Sequence, residues 1–314
     1  MPANVETLFY VSNDENQRFV PWHGLGTPVE QAPTSSDAIK LAGLDWKVES
    51  KPIYAEGDIE IPGYRANTRD KDNKVLGVVS DRYQIVQNDE AFAFTDALLG
   101  AGVKYESAGS LRDGKTVYLL AKMPQTLILG EEFDPFLCFT NNHEGTGAVR
   151  VCMTPVRVVC QNTLNLALST AKRTWSTKHM GDMASKVREA EETLGLATDY
   201  MKLLGEQADQ LAHKKVTDDQ VKEIIEDLFP INDDDSDRAK RNMQELRDGF
   251  YVCYMAPDIQ KYLGTAYGVV NAASDFATHK EPKRMTSTFK ENNFARILNG
   301  NAIIDKVFEK VSAF

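Results

Sequence analysis

The sequence predicts an α+β protein: an antiparallel, β-hairpin-rich sheet with packed helices, followed by a mainly helical C-terminal region. Three observations predict it. Lys104–Leu111 and Lys115–Lys122 flank Arg112-Asp113-Gly114, and Asp-Gly between two strand-like runs is a strong hairpin signal. Further strand-like runs come grouped, with helices interspersed, and lack the regular β-α-β alternation of a parallel sheet. From Val187 the texture changes: Val187, Ala190, Leu194, Ala197, Met201, Leu204, Ala208 and Leu211 recur at alternating three- and four-residue steps, the seam of one long amphipathic helix.

Taken in order, residues 1–34 read as an irregular arm whose Pro21-Trp22-His23-Gly24-Leu25-Gly26 suits a turn. Thr34-Ser35-Ser36-Asp37 can cap a short helix ending at Gly43. Trp46–Glu49 and Gly63–Asn67 alternate like half-buried strands, and beyond Asp72-Asn73-Lys74 a meander runs through Val75–Val79 and Tyr83–Val86 to Asn88. Asn88 is placed to cap a helix bearing Phe92, Phe94, Ala97 and Leu98.

After the hairpin, strands are expected through Phe136–Thr140 and Ala148–Val159, joined by a glycine-containing loop at 141–147 that lets backbone approach a ligand. Thr163–Ala171 reads as a helix. Following the long seam, Thr217 and Gln220 form a capping box, Phe229-Pro230 stops that helix, and Ser236 opens another ending before Pro257. Short helices and a basic stretch around Lys280, Lys283, Arg284 and Lys290 complete the chain. The expected organisation is an arm at 1–34, an α+β core at 35–185 and a helical domain at 186–314.

Composition limits the function classes. The 314 residues are 42% hydrophobic and 26% charged, an ordinary globular balance, and no run approaches the roughly 18 apolar residues of a spanning helix. The N-terminus has neither a basic start nor an apolar core of signal-peptide length, so a cytoplasmic location in a bacterial host cell is expected. Cys138, Cys152, Cys160 and Cys253 are too sparse for a disulfide scaffold and are read as reduced, mostly buried thiols. No phosphate-binding Walker loop and no GxGxxG after a strand is present.

Charge is unevenly placed. The net charge is −10, yet the 37 residues from Gly145 to Gly181 contain no Asp or Glu. They hold Arg150, Arg157, Lys172, Arg173 and Lys178, with Trp175 and His179 beside them. Between Glu189 and Asp248, in contrast, 17 acids oppose 8 bases. A concentrated cationic segment in an acidic body suits a polyanion.

Interleaved cations and an aromatic at Lys172, Arg173, Trp175 and Lys178 match single-strand binding, where backbone charge and base stacking add; a solvated turn with a core tryptophan is the alternative. Arg150 and Arg157, seven residues apart, fall on opposite faces of an uninterrupted strand. Arg157 lies in an apolar run and needs partners, either a protein carboxylate or a phosphate. Gln161, Asn162 and Asn165 are expected to open the helix after this strand, offering amides to phosphate, sugar or base edges. Arg112 and Lys115 sit at the hairpin tip, as turn charges or as a grip on a strand.

A Cys160 nucleophile with His23, His143 or His179 as base is the enzymatic alternative, and adjacent His143-Glu144 lacks the spacing of a helical zinc pair. No catalytic residue, cofactor or metal is assigned. The long seam serves either core packing or self-association.

Several motifs together carry a resemblance: Pro21–Gly26, Gly43-Leu44-Asp45-Trp46, Asp81-Arg82-Tyr83 with Val86-Gln87-Asn88, Ala108-Gly109-Ser110-Leu111, and Thr154-Pro155-Val156-Arg157-Val158-Val159-Cys160-Gln161-Asn162-Thr163-Leu164-Asn165. These resemble the phage/plasmid-like family catalogued as domain of unknown function 932. The resemblance covers most of the chain and implies no chemistry. The order of sheet and helix from 46 to 171 is more distantly similar to phage recombination annealases of the Rad type, which implies a basic groove for single-stranded DNA. The resulting expectation is a non-enzymatic, phage- or plasmid-encoded protein that binds and anneals single-stranded DNA in recombination or replication, with RNA as the other strand chemistry and a homo-oligomeric ring or filament as the working form. A regulatory or anti-defence protein that binds a host protein is the first rival, and a Cys-dependent or nucleotide-processing enzyme the second.

Overall fold

A computed structural model describes residues 25–145, 149–157, 163–168, 170–177, 182–282 and 284–314. The chain is α+β, with two antiparallel sheets among the described residues and a C-terminal part that is mostly helical.

Strands β1 (Thr27–Pro28), β5 (Lys104–Leu111), β6 (Thr116–Lys122), β8 (Glu131–Asn142), β9 (Arg150–Arg157) and β10 (Thr174–Ser176) hydrogen-bond in that order, and β7 (Thr126–Ile128) pairs with β8. A smaller sheet joins β2 (Val48–Ala55), β3 (Ile59–Arg69) and β4 (Val75–Ser80). The predicted hairpin is β5–β6. Arg112, Asp113 and Gly114 all adopt positive φ, at 52°, 59° and 91°, which the Asp-Gly pair tolerates and a β-branched residue would not. β8 and β9 stay in register from Phe133 opposite Arg157 to Thr140 opposite Arg150, with Pro135 facing Pro155 and no bulge.

Alternation along these strands divides the core into two layers. Val117, Leu119, Leu137, Phe139, Val151 and Met153 face a large cluster that also takes residues of α3 (Met183–His213) and α6 (Ala266–His279). Tyr118, Leu120, Phe136, Cys138 and Cys152 face the other way and are covered by Phe294 and Leu298 of α7 (Phe289–Asn299). The larger cluster contains residues from Val29 to Val311, so buried apolar contact runs continuously across position 185.

The long helix is α3, 31 residues opened by Asp182, whose side chain accepts from Ser185 N at 2.9 Å. Its seam residues Ala190, Ala197, Met201, Leu204, Ala208 and Leu211 are buried within the chain, so core packing accounts for this stretch. Burying a leucine such as Leu204 contributes about 1.5–3 kcal/mol. α1 (Ser35–Leu41) starts at Thr34, and α4 (Asp218–Leu228) starts with the Thr217/Gln220 capping box. α5 (Asp237–Tyr254) starts at Ser236.

Three local expectations differ. Tyr83–Val86 is not a strand; Tyr83 Oη instead donates to Asn142 O at 3.0 Å. The cap of α2 (Asn88–Phe92) is Gln87, because the Asn88 side chain is spent inward on Leu44 O and on Asn141 Nδ2. Within 163–171 the described residues are not helical: Thr163 forms a bridge to Val156, and Leu164 N donates to Pro155 O, so β9 claims the backbone bonds a helix would need.

Candidate nucleic-acid interface

At one end of the larger sheet, strand ends and α7 enclose a groove of about 190 Å³. Arg112 from the hairpin tip and Arg150 from the start of β9 both border it, with Thr116, Thr140, Asn142, Thr174 and Asn299 between them. Strand alternation explains this convergence: Thr116, Thr140, Asn142, Arg150 and Thr174 all stand on the α7 side of the sheet.

The tip is anchored from below. Arg112 N donates to the buried Glu291 carboxylate of α7, leaving the guanidinium 57% exposed and 3.4 Å from Glu144. Lys115 Nζ lies 3.8 Å from the same carboxylate. Asn142 links the parts: its Nδ2 donates to Thr116 Oγ1 at 3.1 Å and its Oδ1 accepts from Glu144 N at 2.8 Å. Arg150 is exposed, and its Nη1 donates to Asn299 Oδ1 at 3.4 Å; among the described residues it has no carboxylate partner. Arg112 and Lys115 therefore share Glu144, Glu291 takes the Arg112 N–H, and Arg150 stands without a carboxylate, so among the described residues three cations meet two acids beside neutral donors and acceptors.

Glu144 is placed by the smaller sheet. Asn67 Nδ2 donates to His143 O at 2.9 Å, and Gly77 lies so close that a β-carbon there would stand 2.7 Å from Glu144 Cα. His143 packs edge-on to Trp46, with Nε2 2.9 Å from Asn88 Oδ1. Burial lowers its pKa to about 4.

The remaining expected residues do not join the groove. Arg157 is fully buried on the opposite face. Its Nε and Nη2 donate to Glu131 at 2.6 and 2.8 Å, and Nη1 and Nη2 donate to Asp258 Oδ2 and O at 2.6 and 2.8 Å. Burial pushes the Glu131 carboxyl up, but hydrogen bonds from Arg157 and Lys261 outweigh it and hold it below its ordinary range. A phosphate role for Arg157 is thereby corrected to an internal ion network, because its donors are already bound by carboxylates and a carbonyl. Arg173 is also internal, donating to Cys152 Sγ at 2.8 Å and to Met153 O and Ile297 O at 3.2 and 3.0 Å. Asn165 is buried and donates to Ile297 O at 3.0 Å rather than opening a helix toward solvent. Both tie the edge of the sheet to the end of α7.

Lys172 is exposed just before β10, and Trp175 is half-buried against the larger core cluster. Gln161, Asn162 and Lys178 lie outside the described residues, as do Cys160, His23 and His179 of the enzymatic alternative. Cys138, Cys152 and Cys253 are free thiols. Among the described residues no group of three or more His, Cys, Asp or Glu side chains could hold a metal ion, and no helix is long and apolar enough to cross a membrane.

Thr116, Thr140, Asn142 and Asn299 were not expected in the site. The first three were detectable as the same-face positions of paired strands once the register with Arg150 is known. Asn299 had no signal, since only tertiary packing brings α7 to the sheet.

A sequence model of the family described as Domain of unknown function (DUF932) matches residues 75–298, well over half of the chain. No curated protein and no solved structure matches it.

Proposed function

Because the chain belongs to the family described as Domain of unknown function (DUF932), which assigns no activity, we propose from its site alone that it binds single-stranded DNA and anneals strands as an oligomer. One observation carries this reading: Arg112 and Arg150, 38 positions apart in sequence, border one polar groove, and among the described residues Arg150 has no carboxylate to neutralise it. Exposed arginines among hydroxyl and amide groups suit a sugar–phosphate backbone. Arg112, Lys115 and Arg150 hold phosphates at the groove in this reading, the exposed Lys172 meets the strand outside it, and the Thr and Asn side chains accept or donate along the strand. The bases remain open to a complementary strand, and annealing requires no bond cleavage. A groove of this size holds few nucleotides, so several subunits in a ring or filament present a continuous template.

The test is fluorescence anisotropy of a labelled oligonucleotide across a salt series. Binding is expected at low salt and lost at high salt, with the Arg112→Ala/Arg150→Ala double variant reducing the slope of log affinity against log salt by about 1.4, the value for two single-strand phosphate contacts. Absence of binding at low salt, or an unchanged slope in the double variant, overturns the reading.

A further inference from the structure

A second pocket, of about 420 Å³, lies between β10 and the first turns of α3, walled in part by Trp175, Thr177, Arg188, Glu189, Glu192 and Thr193. Four polar atoms of this one wall are buried and have no hydrogen-bond partner among the described residues: Trp175 Nε1, Thr177 Oγ1, Glu189 Oε1 and Thr193 Oγ1. Thr193 is 1% exposed. A buried polar atom left unpaired carries its full desolvation penalty, and four in one wall point to a missing partner.

The chemistry of the four restricts that partner. The indole N–H only donates, an ionised carboxylate only accepts, and the two hydroxyls do either. The occupant must therefore present acceptors and donors together. Glu189 and Glu192, adjacent in the wall, favour an amino group, while the exposed Arg188 at the rim, anchored to Ser185 Oγ at 2.9 Å, suits a phosphate. A neutral heterocycle with an exocyclic amine next to a ring acceptor meets these demands; carboxylates accept from the cytosine N4 amine in this way, whereas thymine turns carbonyl oxygens toward them. The volume falls within the range of small-molecule sites and exceeds what a base alone requires.

We propose that the β10–α3 pocket binds a nucleotide through an amino-bearing base, cytosine being the clearest case. The pocket and the groove meet at edge strand β10 from opposite faces of the sheet: Arg150, which borders the groove, pairs across the ladder with Ser176, which borders the pocket, and Val151 pairs with Trp175, so a strand reaches both by crossing that edge. The base can therefore come from a bound strand or from a free nucleotide. The strand-borne version rests on the single-strand reading above; the pocket's chemistry does not.

Calorimetric titration of the full chain with cytidine and thymidine monophosphates, and with short homopolymers of deoxycytidine and thymidine, tests the proposal. The cytosine ligand is expected to bind about tenfold tighter than its thymine counterpart, and Glu189→Gln and Thr193→Val are each expected to remove most of that preference. Thermal melting checks that both variants fold, and Thr193→Val carries the test if Glu189→Gln does not. A homopolymer preference abolished by the substitutions identifies a strand-borne base. A preference confined to the monophosphates identifies a free nucleotide, and either result upholds the pocket. No cytosine preference in any titration, or one that neither substitution changes, overturns it even if oligonucleotide binding through Arg112 and Arg150 persists. Monophosphate binding without any oligonucleotide binding removes the groove reading and leaves the pocket standing.

Discussion

Arg157 and His143 show how burial decides what a side chain can do. Arg157 lies between Glu131 and Asp258 with Lys261 2.9 Å from Glu131, so its charge is spent on joining the end of β9 to the segment before α6. Arg157→Met leaves the Glu131 carboxylate short of its main partner and is expected to cost about 3–5 kcal/mol, read as a lower urea midpoint. Adding Glu131→Gln should recover part of that loss. His143 is held neutral by burial, with its pKa lowered from 6.5 to about 4. Between those values the unfolded chain binds a proton that the folded chain does not, so stability is fully present above about pH 6.5 and declines as pH falls toward 4. The decline attributable to this residue is up to ~3 kcal/mol. Urea titrations of the native protein and His143→Gln across that range should diverge in slope, and parallel curves would assign the acid sensitivity to other groups. The Cys253 thiol is pushed up to about 12 by burial with the Asp275 charge adding to it, so slow alkylation at neutral pH is expected until the chain unfolds.

At the scale of elements, local chemistry and long-range pairing can be separated. Thr217→Ala removes one half of a capping box and should cost about 1 kcal/mol without changing oligonucleotide affinity, because no α4 residue borders the groove. Gly77→Ala acts differently. Its added methyl meets the backbone of Glu144, so β4 or the β8–β9 turn must move. A loss of about 1–3 kcal/mol and weaker oligonucleotide binding are expected together, since Glu144 shares Arg112 and Lys115. Anisotropy and melting on the same two variants separate a cap from a positioning contact. The β5–β6 hairpin, α3 and the caps of α1, α4 and α5 were legible because turn residues, seam spacing and capping side chains act within a few positions. The supposed helix at 163–171 was not, because apolar residues there pack under Tyr200, whose Oη donates to Leu166 O at 2.9 Å, in an extended path that mimics no period.

Across the whole molecule, a net charge of −10 does not describe the local field. The acid-free segment divides in the fold: Arg150 and Lys172 face solvent, while Arg157 and Arg173 are internal. Most of the α3 seam is covered within the chain, so the proposed assembly would use a different surface. Residues 54–64 of the β2–β3 hairpin are all exposed, including Tyr54 at 55%, Ile59 at 66% and Tyr64 at 54%. If this apolar arm joins neighbouring subunits, as annealing requires, Tyr54→Lys/Ile59→Lys should lower the assembled mass in sedimentation with an oligonucleotide while short-strand affinity stays unchanged. An unchanged assembly would remove the arm from that role.

By itself the sequence determined the α+β class, the hairpin and its turn, the long helix, the caps of α1, α4 and α5 and the opposed faces of Arg150 and Arg157, because each depends on spacing or side-chain chemistry over a short stretch of chain. Only the tertiary structure decided which cations reach solvent. That choice depends on carboxylates and carbonyls brought from Glu131, Asp258 and Ile297, and on the packing of α7 beside the sheet, contacts whose partners lie up to 179 positions away in the chain. Burial without a partner is too costly for an arginine, so the fold assigns a cation to the interior only where it also delivers acceptors.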